Sequence, residues 1–128
     1  MKKKSIVSLF LPAFLLIVFV ASAETDPPQK TKMPDNVKAV VDKSCFGCHN
    51  TDSRNEDAKE DLDFKKLDKL STIKKIGTYK KIGEAIEKEE MPPKKFIERY
   101  PEKQLTDEEK QILLTWTKKE AETLVKSK

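Results

Sequence analysis

The chain has 128 residues with 26 basic and 22 acidic side chains, and its formal net charge is +4. This length favours one small domain. Lysines and glutamates are interspersed instead of forming blocks, which is typical of solvated helix faces and gives no indication of nucleic-acid binding.

The N-terminal residues have the pattern of an export signal. Residues 2–4 are lysines, residues 6–20 are mainly apolar, and Ala21-Ser22-Ala23 has the small side chains of a cleavage site. The apolar run is shorter than the ~20 residues of a membrane-spanning helix. We therefore predict that residues 1–23 are a signal peptide, cleaved after Ala23, and that the product is exported, periplasmic and not stably inserted in a membrane. An uncleaved N-terminal membrane anchor is the alternative.

A polar, proline-containing segment, residues 24–34, predicts a flexible tether before the domain, which we place at residues 35–128. Asp35 is a candidate helix cap. Apolar residues then recur at positions i, i+3 and i+4, which predicts a helix: Val37, Val40 and Val41. Cys45 and Cys48 continue this stripe, so we expect the helix to run into the cysteine pair.

The segment Cys45-Phe46-Gly47-Cys48-His49 matches C-x-x-C-H, the covalent attachment motif of c-type haem. The two-residue spacer lets both thiols reach one porphyrin edge as thioethers, and the adjoining imidazole can bind the iron axially. The alternatives are a bare disulfide and a zinc site. A structural zinc ion takes four protein ligands, whereas this chain offers only three cysteine and histidine side chains. We therefore predict one covalent haem c with its iron.

The remainder of the chain predicts further helices and no strand. Residues 50–60 are polar and without periodicity, as in a loop, and residues 62–76 are irregular to helical. Helical spacing returns in residues 78–90, where Gly77 and Gly83 weaken helix propensity; close packing against a porphyrin is a candidate reason. Prolines at 92 and 93 end that helix. A final helix is predicted from Asp107 toward Val125, with an inward face that holds Ile112, Leu113, Trp116 and Leu124.

That final helix begins with a capping-box pattern, in which Thr106 is the N-cap and Glu109 stands three residues later. The whole pattern predicts an all-α single domain of three or more helices.

Methionine is the candidate for the second axial iron ligand, because His49 is the only histidine in the chain. Outside the signal the candidates are Met33 and Met91, although a methionine is more commonly a core residue. Met91 is better placed, since the two prolines after it restrict the local backbone and can hold its side chain in one orientation. Met33 lies only 12 residues before Cys45, on the same side as the proximal helix.

The chain resembles the bacterial exported monohaem proteins named for a haem-binding domain, which are small relatives of class I cytochromes c. The resemblance covers about residues 37–122. It is carried by the following segments: Cys45-Phe46-Gly47-Cys48-His49-Asn50, Asp61-Leu62-Asp63-Phe64, Met91-Pro92-Pro93, Leu105-Thr106-Asp107-Glu108-Glu109 and Trp116. It implies an all-α, cytochrome c-like fold of three to five helices around one covalently bound haem. It also implies thioether bonds at Cys45 and Cys48, His49 as proximal ligand and Met91 as distal ligand.

These features favour a one-electron carrier that meets redox partner proteins in the cell envelope and acts as a monomer. With both axial positions held by protein, no open iron site is left for a substrate, so we do not expect an enzyme. The alternative is a haem-based sensor or gas-binding domain in which the Met91 ligand is displaced. A peroxidase would need a distal acid or base, usually a histidine, and the only histidine is already used. The remaining hypothesis is an interaction module that binds no haem and has a structural C-x-x-C pair.

Overall fold

The computed structural model describes residues 32–127. The predicted signal peptide and most of the predicted tether lie outside the described residues. Within them the chain forms five α-helices: α1 (Asp35–Ser44), α2 (Glu56–Asp61), α3 (Thr72–Glu87), α4 (Lys94–Arg99) and α5 (Asp107–Lys126). Short 3-10 turns occur at Leu67–Lys69 and Pro101–Lys103. Residues 32–127 contain no β-strand, so the predicted all-α, cytochrome-like fold class is confirmed.

The core lies where α3 packs along α5, and α1 also contacts α5. Tyr79 of α3 and Trp116 of α5 meet edge to face, with ring centroids 5.2 Å apart and an interplanar angle of 86°. Such pairs contribute beyond the area that they bury. The other buried apolar residues come from five parts of the fold: Val37, Val40, Val41, Leu67, Ile86, Leu105, Leu113 and Ala121.

The first helix differs from its prediction at both ends. Asp35 is not its cap but its first residue; Pro34 precedes it, and no side chain caps the N-terminus. The Pro34 carbonyl accepts a hydrogen bond from the Lys38 amide at 2.8 Å, and Asp35 places a negative charge in the first turn, where the helix dipole favours it. The helix ends at Ser44, so the cysteine pair follows α1 instead of lying within it.

The region predicted as a loop, residues 50–60, contains the short helix α2. Its N-cap is Asn55, whose side chain accepts a hydrogen bond from the Ala58 amide. No residue of α2 is buried, so the helix has no apolar stripe and periodicity could not indicate it.

Helix α3 begins at Thr72, six residues earlier than the periodicity of residues 78–90 indicated, because Ser71 supplies its N-cap. The expected packing of its two glycines against a porphyrin stays a prediction. A Cβ on Gly83 would lie 3.3 Å from Thr117 Oγ1 of α5, and one on Gly77 would meet nothing within 4 Å. The close approach at Gly83 is therefore between two helices.

Helix α5 begins with the predicted capping box: the Thr106 hydroxyl accepts from the Glu109 amide, and the Glu109 carboxylate accepts from the Thr106 amide. Leu113 and Trp116 are buried as predicted, Ile112 and Leu124 only partly, and Thr117 is buried as well. None of the helices in residues 32–127 has the length and apolar character to cross a membrane.

Candidate functional site

A cavity of about 380 Å³ opens beside the core, within the range of small-molecule and cofactor sites. Its walls come from the end of α1, the cysteine turn, α2, α3, the segment around Met91, α4 and α5. They are mainly apolar, with large side chains from Phe64, Ile82, Phe96, Leu113 and Trp116. The cavity brings Met91 together with the three predicted site residues of the C-x-x-C-H segment: Cys45, Cys48 and His49.

The cysteine turn is held to the end of α1 by its backbone. The amides of Cys45 and Phe46 both donate to the Val41 carbonyl at 2.8 Å, and the amides of Cys48 and His49 both donate to the Cys45 carbonyl at 3.1 Å. These bonds continue the helix as a tight turn. The turn therefore places both thiols and the imidazole along one wall of the cavity.

Both thiols are unpaired and partly buried. Burial raises the pKa of Cys45 to about 11; the neighbouring Cys48 adds to this rise and Lys43 opposes it. The Cys45 sulfur is therefore a neutral thiol at ordinary pH, in contrast to the low-pKa thiolates of reactive cysteines.

His49 is oriented through its Nδ1 atom, which donates to the Ala58 carbonyl of α2 at 2.7 Å, with the Leu62 carbonyl at 3.3 Å. A carbonyl oxygen can only accept, so Nδ1 carries the proton whenever the ring is neutral. The other nitrogen, Nε2, then has a free lone pair. This is the arrangement in which a histidine binds a metal with its tautomer and ring plane fixed by a backbone carbonyl.

Met91 reaches the cavity because of how α3 ends. Glu89 has a φ of 55°, a left-handed conformation, and the amides of Glu89 and Glu90 donate to the carbonyls of Ile86 and Ala85 at 3.1 and 2.9 Å. This pair of bonds is a Schellman motif with glutamate in place of the usual glycine. It reverses the chain immediately before Met91, whose side chain lines the cavity and is 39% exposed.

Met33, the other candidate ligand, lies elsewhere. It is partly buried and packs against the core cluster, and it is not one of the residues that line the cavity. The two methionines therefore differ in position, although nothing in their residue type distinguishes them.

A family model described as a haem-binding domain matches residues 52–119, more than half of the chain. The chain belongs to the haem-binding domain family. This confirms the haem-binding domain family that its motifs indicated, and it supports haem binding as the role of the domain. No curated protein and no solved structure matches the chain.

The matched region of this haem-binding domain covers α2 through most of α5 and includes Met91. It begins three residues after His49, so the C-x-x-C-H segment lies just outside it. The attachment motif and the family match are thus separate observations on adjoining parts of the chain.

The donor set of the cavity fits haem. It combines two thiols, an imidazole with a free Nε2, a thioether and apolar walls, which are the groups that c-type haem attachment and axial ligation use. The zinc alternative gains no support, because no three His, Cys, Asp or Glu side chains in residues 32–127 are grouped as a metal ion would require.

Three features of the site escaped the sequence reasoning. Asn50 is buried, its amide donates to the Phe46 carbonyl, and its Oδ1 accepts from the Asp52 amide at 2.8 Å, so it closes the turn behind the motif. Ala58 has no polar side chain that could signal its contact with His49. Asn55, directly before two acidic residues, does have the sequence pattern of a helix N-cap.

Proposed function

We propose that this haem-binding domain protein is an exported c-type cytochrome, related to class I cytochromes, that carries single electrons. The observation that supports this most directly is that Cys45, Cys48, the His49 imidazole and Met91 line the same apolar cavity. Haem attachment accounts for all four of these residues in one apolar cavity, whereas a disulfide or a zinc site would not account for Met91 or for the apolar walls.

Each residue has a distinct role in this proposal. Cys45 and Cys48 hold one haem through thioether bonds, and His49 binds the iron through Nε2 while Ala58 keeps its ring oriented. Met91 supplies a thioether as the second axial ligand. When bound, haem supplies a one-electron iron couple, and a thioether ligand favours the reduced iron and raises the potential. The apolar walls exclude water from the ring.

The proposal includes a cellular setting. The protein is exported after cleavage behind Ala23, acts in the periplasm as a monomer and exchanges electrons with redox partner proteins of the cell envelope. It is an electron-transfer protein and not an enzyme, because both axial positions are taken by its own side chains. It does not bind nucleic acid.

A sensor of small gases is the second candidate, and one observation favours it. Met91 lies on the segment between α3 and α4 and not on a helix, and connecting segments are more mobile than the elements that they join. A weakly held thioether can be displaced by CO or NO.

The test is the exported protein itself. Its mass should equal that of residues 24–128 plus one haem, and the ferric form should be low-spin, with the weak far-red band of a methionine–iron bond. A mass equal to the polypeptide alone, or lower by two hydrogens, would contradict covalent attachment. Ready binding of CO by the ferrous wild-type protein would favour the sensor over the carrier.

A further inference from the structure

Haem carries two propionate carboxylates, so a haem cavity needs a place for negative charge. Among the residues that line this cavity, Lys81 is the only lysine or arginine. It lies on α3 between Thr78 and Ile82, and with Ala85 these residues form the face of the helix that borders the cavity. The cation therefore stands on an otherwise largely apolar wall.

The Lys81 ammonium is free to take a ligand. Within residues 32–127 it has neither an ion pair nor a hydrogen bond, whereas other lysines such as Lys43, Lys59 and Lys110 are paired with carboxylates. Its side chain is exposed, so its methylene stem can lie along the wall while the ammonium stays at the mouth of the cavity.

The two carboxylates of the lining are on other elements. Asp61 is the last residue of α2, and Glu90 directly precedes Met91. The negative charges of Asp61 and Glu90 would repel a propionate near them. The α3 wall, with Lys81, is therefore the part of the cavity rim that favours a propionate.

We propose that Lys81 binds a haem propionate at the α3 wall of the cavity. This rests on the proposed haem function and adds to it a ligand-binding residue outside the attachment motif. A charge-assisted hydrogen bond of this kind is stronger beside apolar walls than in water. Removing the cation leaves a propionate charge uncompensated near the iron, and this favours the more positive ferric state.

The test compares reduction potentials of the haem-loaded wild-type protein and three variants. Lys81→Gln should lower the midpoint potential, and Lys81→Arg should restore it toward the wild-type value. Lys80→Gln is the matched control. It removes the same charge from the same helix, but Lys80 is exposed and borders a separate groove between α3 and α5. Lys80→Gln should leave the potential close to that of the wild type.

A second measurement separates propionate contact from a general charge effect. In the haem-loaded protein, limited acetylation followed by peptide mass analysis should modify Lys81 more slowly than Lys80, because a carboxylate holds the Lys81 ammonium. Equal acetylation of the two lysines, or equal potentials for Lys81→Gln and Lys80→Gln, would overturn the assignment while leaving the haem function intact. An exported wild-type protein without covalent haem would overturn both proposals.

Discussion

The Nδ1 atom of His49 lies 2.7 Å from the carbonyl oxygen of Ala58. This hydrogen bond connects the cysteine turn to α2, which is separate from the turn in the sequence. The amide of the same residue, Ala58, donates to the Asn55 side chain at 3.1 Å. The N-cap of α2 therefore helps to fix the position of Ala58, the residue whose carbonyl orients the imidazole. Asn55 acts on His49 through Ala58, as a positioning residue.

Replacing Asn55 by alanine should destabilise the protein by about 1 kcal/mol, the usual cost of losing an N-cap. Asn55→Ser, which keeps a capping oxygen, should retain most of the stability. Urea unfolding of both variants measures the difference. Equal midpoints for the alanine and serine variants would show that the Asn55 cap does not stabilise α2.

Two isoleucines of α3 provide a matched test of the core. Ile86 is 5% exposed and packs within the buried cluster, whereas Ile73 is 70% exposed. Ile86→Ala should lower the free energy of unfolding by about 2–5 kcal/mol, since it removes buried methyl groups and leaves a cavity. Ile73→Ala should have an effect within about 0.5 kcal/mol. Thermal or urea unfolding that ranks the two in the reverse order would contradict the packing described.

The two glycines of α3 should respond differently to alanine. A Cβ at Gly77 meets nothing within 4 Å, so Gly77→Ala should stabilise the helix by roughly 0.5–1 kcal/mol through higher helix propensity. A Cβ at Gly83 would lie 3.3 Å from Thr117 Oγ1, and that hydroxyl already donates to the Leu114 carbonyl. Gly83→Ala should therefore stabilise the protein less than Gly77→Ala does, or should destabilise it. The double change Gly83→Ala with Thr117→Ala tests whether the hydroxyl is the cause.

Helices with local signals could be predicted from the sequence, and those held by distant contacts could not. The capping box at Thr106 and the apolar spacing of α5 lie within the helix itself, so its start was predicted correctly. Helix α2 is six residues long with no buried side chain. Its contact to His49 joins residues 9 apart in the chain, and no pattern within α2 indicates it.

The same division applies to the site. The spacing of Cys45, Cys48 and His49 is a local covalent pattern, and it was sufficient to predict a haem motif. Lys81 is one of many lysines in a chain with 26 basic residues. It differs from its neighbour Lys80 only in its position in the fold, because Lys81 lines the cavity and Lys80 does not.

Acid should weaken a contact between α1 and α5. The Glu109 carboxylate accepts hydrogen bonds from Lys43 Nζ at 2.6 Å and from the Thr106 amide at 2.9 Å. Partial burial would raise the pKa of Glu109, but these bonds outweigh it and hold the pKa below its ordinary value. A carboxylate with a lowered pKa in the folded state stabilises the fold above its unfolded pKa, about 4.3. That contribution is lost as the pH falls through the lower folded pKa.

The wild-type free energy of unfolding should therefore decrease with falling pH below about 4.3, and Glu109→Gln should show a smaller decrease across the same window. Glu108→Gln is the control. Glu108 is the exposed neighbour on α5, and it has no hydrogen bond or ion pair within the described part of the chain. Urea unfolding from pH 3 to pH 7 measures the slopes. Identical slopes for Glu109→Gln and the wild type would show that protonation of Glu109 does not contribute to the pH dependence of the free energy of unfolding.

The last prediction concerns Met91 and distinguishes a carrier from a sensor. Met91 lines the cavity together with His49, whereas Met33 packs against the core outside the cavity lining. In the haem-loaded protein, Met91→Ala should remove the far-red methionine–iron band, lower the potential and allow CO to bind the ferrous iron, because the sixth position becomes open.

Met33→Ala is the control for losing a methionine without losing a ligand, and it should keep the band, the potential and the poor CO binding of the wild type. Visible spectra of both oxidation states, with and without CO, give all three readouts from one sample. If Met33→Ala lost the band instead, the ligand loop would be the N-terminal one. If Met91→Ala left the spectrum unchanged, the iron would have no methionine ligand from this loop. The carrier proposal would then give way to that of an open-site gas sensor.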